Sequence, residues 1–227
     1  MNTILIIGGS KGIGKAIAIA LLNTCKVINI SRSQPEFSHQ NLTHYSCDIL
    51  NDELPNVGSV DSLIYCPGSI NLKPFERLKI ADFKTDYEIN FIGAVKAIQK
   101  YMPNLKEADK ASILLFSTVA SKLGMPFHAS VASVKSAIEG LVKSLAAEYA
   151  PKIRINAIAP TVTDTALASK LLRNDRQKEQ MIERHPLKKY LNPEEVAAMA
   201  TFLISEKSAS MSGQIFEMDC GITTFKN

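Results

Sequence analysis

Short apolar runs alternate with longer segments of helical periodicity from one end of the chain to the other. Residues 3–9 (TILIIGG), 26–32 (KVINISR), 44–49 (HYSCDI), 62–68 (SLIYCPG), 112–118 (SILLFST), 152–160 (KIRINAIAP) and 213–221 (GQIFEMDCG) read as strands. Segments 14–23, 82–102, 130–150 and 192–205 carry the small and apolar residues of packed helices. Strands that are apolar along their whole length need cover on both faces, and helices between successive strands supply it. The expectation is an α/β fold, a Rossmann-type doubly wound parallel sheet with right-handed crossovers, forming a single domain over residues 1–227. Two stretches stand apart. Residues 33–42 (SQPEFSHQNL) are too short for a full crossover helix. Residues 171–190 are the most charged and least periodic, and a solvated helix pair is expected there rather than a mobile substrate lid.

Chemistry enters at the first strand-to-helix turn. IIGGSKGIGKAI places Gly8, Gly9, Gly12 and Gly14 between the first strand and the first helix. Glycine allows the tight turn and lets backbone N–H groups approach a pyrophosphate at the helix N-terminus. A glycine-rich string is weak evidence alone, but its place directly after the first strand strengthens it. About 20 residues on, where an NAD site offers a carboxylate to the ribose, this chain has Ser31 and Arg32. A guanidinium there fits a 2′-phosphate, and Lys11 adds a second positive charge, so NADP(H) is preferred over NAD(H).

Composition narrows the field without redirecting it. The 227 residues are 46% hydrophobic and 21% charged, ordinary for a globular chain. The net charge of +4 is scattered rather than striped, which argues against nucleic acid. No apolar stretch approaches the roughly 18–20 residues of a membrane span. The strand-like start without a charged leader gives a cytoplasmic expectation. Cys25, Cys47, Cys66 and Cys220 form no C-x-x-C pair or metal spacing, so buried thiols and no metal are expected.

Taken in order along the chain, these motifs resemble the short-chain dehydrogenase/reductase family. GGSKGIG is similar to the G-x-x-x-G-x-G part of its T-G-x-x-x-G-x-G loop, with Gly8, Gly12 and Gly14 as the glycines. CDI resembles the motif whose Asp48 would meet adenine, with Ile49 beside it, and CPG keeps Gly68 of N-A-G. INFIG supplies Asn90, LLFSTVAS resembles the strand of the catalytic serine, and RINAIAPTVTDT resembles N-x-x-x-P-G-x-x-x-T, with Thr161 for glycine. The resemblance implies a dinucleotide site formed by Gly8, Ser10, Lys11, Gly12, Ile13, Gly14, Ser31, Arg32, Asp48, Ile49, Gly68, Asn90, Lys135, Pro160, Thr163 and Thr165. It also implies a tyrosine and a lysine one helical turn apart. The lysine holds the nicotinamide ribose and lowers the phenol's pKa; the tyrosine protonates the substrate oxygen as hydride arrives; a serine orients that oxygen; an asparagine steadies a water-linked proton path.

At those positions the chain has Lys135, Asn90 and Thr118 (with Ser117 beside it), but Val131 where the tyrosine falls. His128 lies seven residues before Lys135, within about 20° of the same helical direction. That is the tyrosine spacing of the enoyl-thioester reductases in the same superfamily, and an imidazole can deliver a proton at neutral pH. The catalytic candidates are therefore Thr118, His128, Lys135 and Asn90; Tyr149 and Tyr190 read as packing residues. Two functions stay open: an NADP(H)-dependent oxidoreductase acting on a carbonyl or conjugated enoyl small molecule, or a catalytically idle NADP(H)-binding module serving as sensor or partner subunit. Substrate specificity is expected in residues 161–192. The resemblance also implies a homo-oligomer, a dimer or tetramer, through the long helices near 82–102 and 130–150.

Overall fold

Among the described residues, seven strands are joined by crossovers that change direction once, and that change creates the crevice in which the candidate residues meet. A computed structural model describes residues 1–224. The strands are β1 (Thr3–Ile7), β2 (Lys26–Ser31), β3 (Leu42–Ser46), β4 (Ser62–Tyr65), β5 (Ala111–Phe116), β6 (Ile153–Pro160) and β7 (Ile215–Met218). They lie in the order β3-β2-β1-β4-β5-β6-β7, and every neighbouring pair is parallel. The chain moves outward from β1 through β2 to β3, then returns to place β4 on the other side of β1. At such a switch point the loops at the strands' C-terminal ends part and leave room for a ligand.

The helices are α1 (Gly12–Leu21), α2 (Ile80–Tyr87), α3 (Gly93–Glu107), α4 (Ala129–Tyr149), α5 (Asp175–Arg184) and α6 (Pro193–Ile204). Period-two alternation along β1 sends Leu5 and Ile7 into one core and Ile4 and Ile6 into the other. The first core holds Leu63, Ile113, Ile98 and Leu105 of α3, and Ile138 and Val142 of α4. The second holds Ile64, Leu114, Ile17 and Leu21 of α1, and Val196 and Leu203 of α6. α6 starts on Asn192 with Pro193 at its first position, and Glu195 closes a capping box, accepting from Asn192 N–H at 3.0 Å. Among the described residues no helix is long and apolar enough to cross a membrane.

Several local expectations need correcting. The segment 82–102 is not one helix: α2 and α3 are separated by a π-helical turn, Glu88–Ile92. Tyr65 explains the irregularity. Its hydroxyl donates to Ile89 O at 2.6 Å, and a methyl added at Gly93 would stand 2.1 Å from that oxygen. The phenol thus occupies the space a regular side-chain-bearing turn would fill. Strand β3 begins two residues early and stops at Ser46, because Asp48 turns the chain: its carboxylate accepts from Leu50 N–H at 3.0 Å. Residues 171–190 hold one helix, α5, rather than a pair. None of α5's residues is buried, yet His185 beyond its end is 1% exposed and anchors it. Two of the four thiols, Cys47 and Cys220, are buried, while Cys25 and Cys66 are only half-buried. The link between β2 and β3 carries no helix.

Candidate active site

Two adjoining cavities follow the switch point. A cleft of about 570 Å³ runs over the ends of β1, β2 and β4, lined by Gly8, Ser10, Lys11, Ser31, Arg32, Asp48, Ile49 and Gly68. A tighter pocket of about 180 Å³ continues from it, lined by Ile13, Gly68, Asn90, Thr118, His128, Lys135, Pro160, Thr163 and Thr165. Gly68 borders both. Gly12 and Gly14 instead shape the turn between β1 and α1.

That turn depends on missing side chains. Gly8 has φ +82°, in the left-handed region that favours glycine. A methyl on Gly14 would lie 2.2 Å from the carbonyl oxygen of Gly8, so α1 starts this close to β1 only with hydrogen there. Buried Asn29 then fixes the loop. Its Oδ1 accepts from Gly9 N–H at 2.8 Å, which settles the amide's orientation, because a backbone N–H only donates. Its Nδ2 donates to Ser10 Oγ at 2.9 Å, and Ser10 Oγ donates to Ser33 O at 2.7 Å. Ser31 Oγ lies 2.5 Å from Ser10 Oγ, so both hydroxyls are engaged inside the protein. The cations of Lys11 and Arg32, both exposed, have no such tie and face the cleft. Asp48 is held below the usual carboxylate range by the hydrogen bond from Leu50 N–H, against burial, with Asn51, Arg32 and Lys96 assisting.

In the tighter pocket, Lys135 is 8% exposed and its Nζ donates to Phe116 O at 2.8 Å. Burial lowers its pKa from the ordinary lysine value to about 8, with Cys66 and Asp86 pulling the other way. Asn90 sits in the π-helical turn and is 1% exposed. Its Nδ2 donates to Asp86 O at 2.8 Å and to Ser69 Oγ at 3.1 Å, while its Oδ1 is buried without a partner. A methyl added at Gly68 would stand 3.1 Å from that Oδ1 and 3.8 Å from Lys135 Nζ, so both groups face the space that the glycine leaves open. An unpartnered buried acceptor beside an ammonium with hydrogens to spare fits vicinal ribose hydroxyls. The glycine cradle and the free cations at the other end fit phosphates.

Thr118 and Ser117 differ in what they hold. Ser117 Oγ donates to Glu139 Oε1 at 2.5 Å, while Thr118 caps the short turn Val119–Ser121, and both residues border the pocket. His128 is not inside the helix, as its spacing from Lys135 suggested, but caps it, after Phe127 at φ +69°. Its Nδ1 lies 2.7 Å from Pro126 O; a carbonyl only accepts, so Nδ1 carries hydrogen and Nε2 is the free nitrogen. Val131 is 2% exposed and lines the pocket with Ile70, Met125, Val162 and Leu171. Tyr149 lies in a groove between α3 and α4, away from this pocket.

Comparison with known proteins bears on the family and the fold. A family profile described as Enoyl-(Acyl carrier protein) reductase matches residues 46–223. A tropinone reductase homolog of Arabidopsis thaliana is 30% identical, over 98% of this chain and 91% of its own. Carbonyl reductase [NADPH] 2 of Sus scrofa is 29% identical, over 96% of this chain and 94% of its own. Among solved structures, a short chain dehydrogenase family protein from Francisella tularensis superposes with TM-score 0.90 at 29% identity, covering 99% of this chain and all of that one. ElxO, solved with NADP bound, gives TM-score 0.90 at 25% identity, covering 99% of each chain. The chain belongs to the short-chain dehydrogenase/reductase family.

For this family member, the residues that sequence reasoning missed are mostly polar groups behind the site. Asn29 interrupts an apolar strand, which is a legible signal. Asp86 stands four residues before Asn90, one helical turn away, which is legible only once Asn90 is placed. Ser69, Asn71 and Ser130 carry no sequence signal. Cys66 occupies the pocket wall with its thiol pushed up to about 12 by burial, against the charge of Lys135, so it is a poor nucleophile. Thr161 also acquires a local partner: its Oγ1 lies 2.8 Å from His185 Nε2, and His185 Nδ1 lies 2.6 Å from Met181 O. The carbonyl requires hydrogen on Nδ1, and the pairing of Nε2 with Thr161 ties the end of α5 beneath the pocket.

Proposed function

We propose that this protein is an NADP(H)-dependent oxidoreductase that reduces a small apolar carbonyl or conjugated enoyl compound. The observation that carries the reading is the pairing of Lys135 Nζ with the unpartnered Asn90 Oδ1 across Gly68, where the nucleotide cleft meets the apolar pocket. Nicotinamide, when bound, supplies the hydride. Arg32 and Lys11 would hold a 2′-phosphate, which favours NADP(H); the carbonyl reductase is named for NADPH, and ElxO was solved with NADP bound. Lys135 and Asn90 would hold ribose hydroxyls and turn the nicotinamide toward the pocket. Ile70, Met125, Val131, Val162 and Leu171 would pack an apolar substrate body and exclude water. Thr118 Oγ1 would orient the reacting oxygen, and His128 Nε2 would deliver the proton. Because Nδ1 is committed to Pro126, donation from Nε2 needs the doubly protonated ring. In an enoyl substrate the hydride goes to carbon, and the same two groups would stabilise the enolate oxygen.

One observation favours the second reading, an idle NADP(H)-binding module: the wall position where the resemblance expects a phenol is the hydrocarbon of Val131. A fluorescence titration with NADPH and separately NADH, followed by turnover on panels of small ketones and enoyl thioesters, decides between them. Tight NADPH binding with turnover that His128→Phe lowers about tenfold or more supports the enzyme. NADPH binding without turnover on either panel supports the module, and binding of neither nucleotide overturns both. We also propose a homo-oligomer through the groove of Val95, Ile98, Met102, Leu141 and Leu145 on α3 and α4, checked by light scattering.

A further inference from the structure

Asp86 is fully buried, has no part in the chemistry described above, and sits on the helix that leads into Asn90. Its carboxylate accepts from three donors on two separate parts of the chain. Ser69 Oγ donates to Oδ1 at 2.6 Å and Asn71 Nδ2 at 3.0 Å, both from the loop after β4. Ser130 Oγ donates to Oδ2 at 2.6 Å, from the first turn of α4, next to Val131. The backbone carbonyl of Asp86 accepts from Asn90 Nδ2, which also donates to Ser69 Oγ. The orientation of the Asn90 amide, and therefore the direction of its free Oδ1, depends on a serine that Asp86 holds.

Burying a carboxylate costs several kcal/mol, and an apolar residue of similar size is often no less stable in such a place. What the carboxylate adds is geometry, because it fastens the loop carrying Gly68 to the helix carrying Lys135.

We propose that Asp86 is a positioning residue that locks the Gly68–Ser69 loop to α4 and so sets Asn90 and Lys135 for the nicotinamide half of the cofactor. This rests on the NADP(H) reading above. It makes no claim on the adenosine end, where Lys11, Ser31 and Arg32 come from the loops after β1 and β2.

The test compares two ligands on three variants by fluorescence and calorimetric titration, with thermal unfolding alongside. NADPH spans both halves of the cleft, whereas adenosine 2′,5′-bisphosphate reaches only the phosphate-loop half. Asp86→Leu is expected to weaken NADPH about tenfold or more and to leave the bisphosphate within about twofold. Asp86→Asn should regain most of that loss, since its carbonyl still accepts from Ser69 and Asn71 and its amide can donate to Ser130. Ser130→Ala cuts only the α4 tie and is expected to weaken NADPH about threefold with the bisphosphate unchanged, which keeps the test available if the leucine variant does not fold. Parallel weakening of both ligands would make Asp86 a stability residue and overturn the proposal, as would unchanged NADPH affinity in both Asp86→Leu and Ser130→Ala. Failure of the unmutated protein to bind NADPH is a separate outcome, which overturns the cofactor reading and this inference with it.

Discussion

The two halves of the cleft are built from different materials. Around the phosphate loop, shape comes from backbone and from side chains that are absent: Gly8 at φ +82°, Gly14 against the Gly8 carbonyl, and cations left exposed at the rim. Around Lys135, shape comes from side chains that hold one another in a dry interior: Lys135 on Phe116 O, Asn90 on Asp86 and Ser69, and Asp86 on Ser130. The first half consists of contacts close in sequence or across one strand pair. The second joins α2, the π-helical turn, the loop after β4, β5 and α4. A half made of turns tolerates exchange of its rim charges, whereas a half made of mutual hydrogen bonds loses several contacts with each residue removed.

The largest break in that comparison is expected from Gly14→Val. A side chain there meets backbone rather than a movable tip, so stability should fall by about 3 kcal/mol or more in thermal unfolding, and both halves of the site should fail together. Lys135→Met comes next and should separate the halves. NADPH affinity is expected to fall about tenfold or more, while adenosine 2′,5′-bisphosphate binding stays unchanged in calorimetric titration. Arg32→Ala should give the converse, a loss of about tenfold for NADPH and the bisphosphate with little change for NADH, because an exposed guanidinium acts only on the phosphate it faces.

The remaining effect is on pH dependence. Lys135 titrates near 8 in the folded protein and at its higher ordinary value when unfolded. Between those values the unfolded chain holds the extra proton, so stability from this residue rises with pH above about 8. NADPH affinity should fall over the same range as the ammonium is lost. Melting curves and titrations at pH 7 to 10 should therefore move in opposite directions in the unmutated protein, and Lys135→Met should abolish this contribution to both. Parallel trends that persist in the variant would remove Lys135 as their source.

The same contrast explains what sequence reasoning could see. Apolar runs located the inner strands, because a parallel sheet with both faces covered requires such runs, as β4 and β5 show by being buried throughout. The helix expected over 82–102 was broken by Tyr65, a residue from another strand whose hydroxyl reaches Ile89 O. The expected helix pair at 171–190 became one exposed helix, since its periodicity never had a buried face to satisfy. At the site, spacing singled out Lys135, Asn90 and His128, but it gave His128 a place within the helix, where the backbone makes it the cap.

By itself, then, the amino-acid order determined the parallel α/β architecture, the glycine turn and the residue types at the cleft, because periodicity, backbone freedom and turn chemistry act over a few residues. Tertiary structure alone decided that Asn90 Oδ1 is left open, that Ser117 donates to Glu139 while Thr118 caps the next turn, and that Asp86 is enclosed by three donors. Those outcomes depend on which groups from distant segments reach a buried donor or acceptor first, and burial makes each such pairing obligatory.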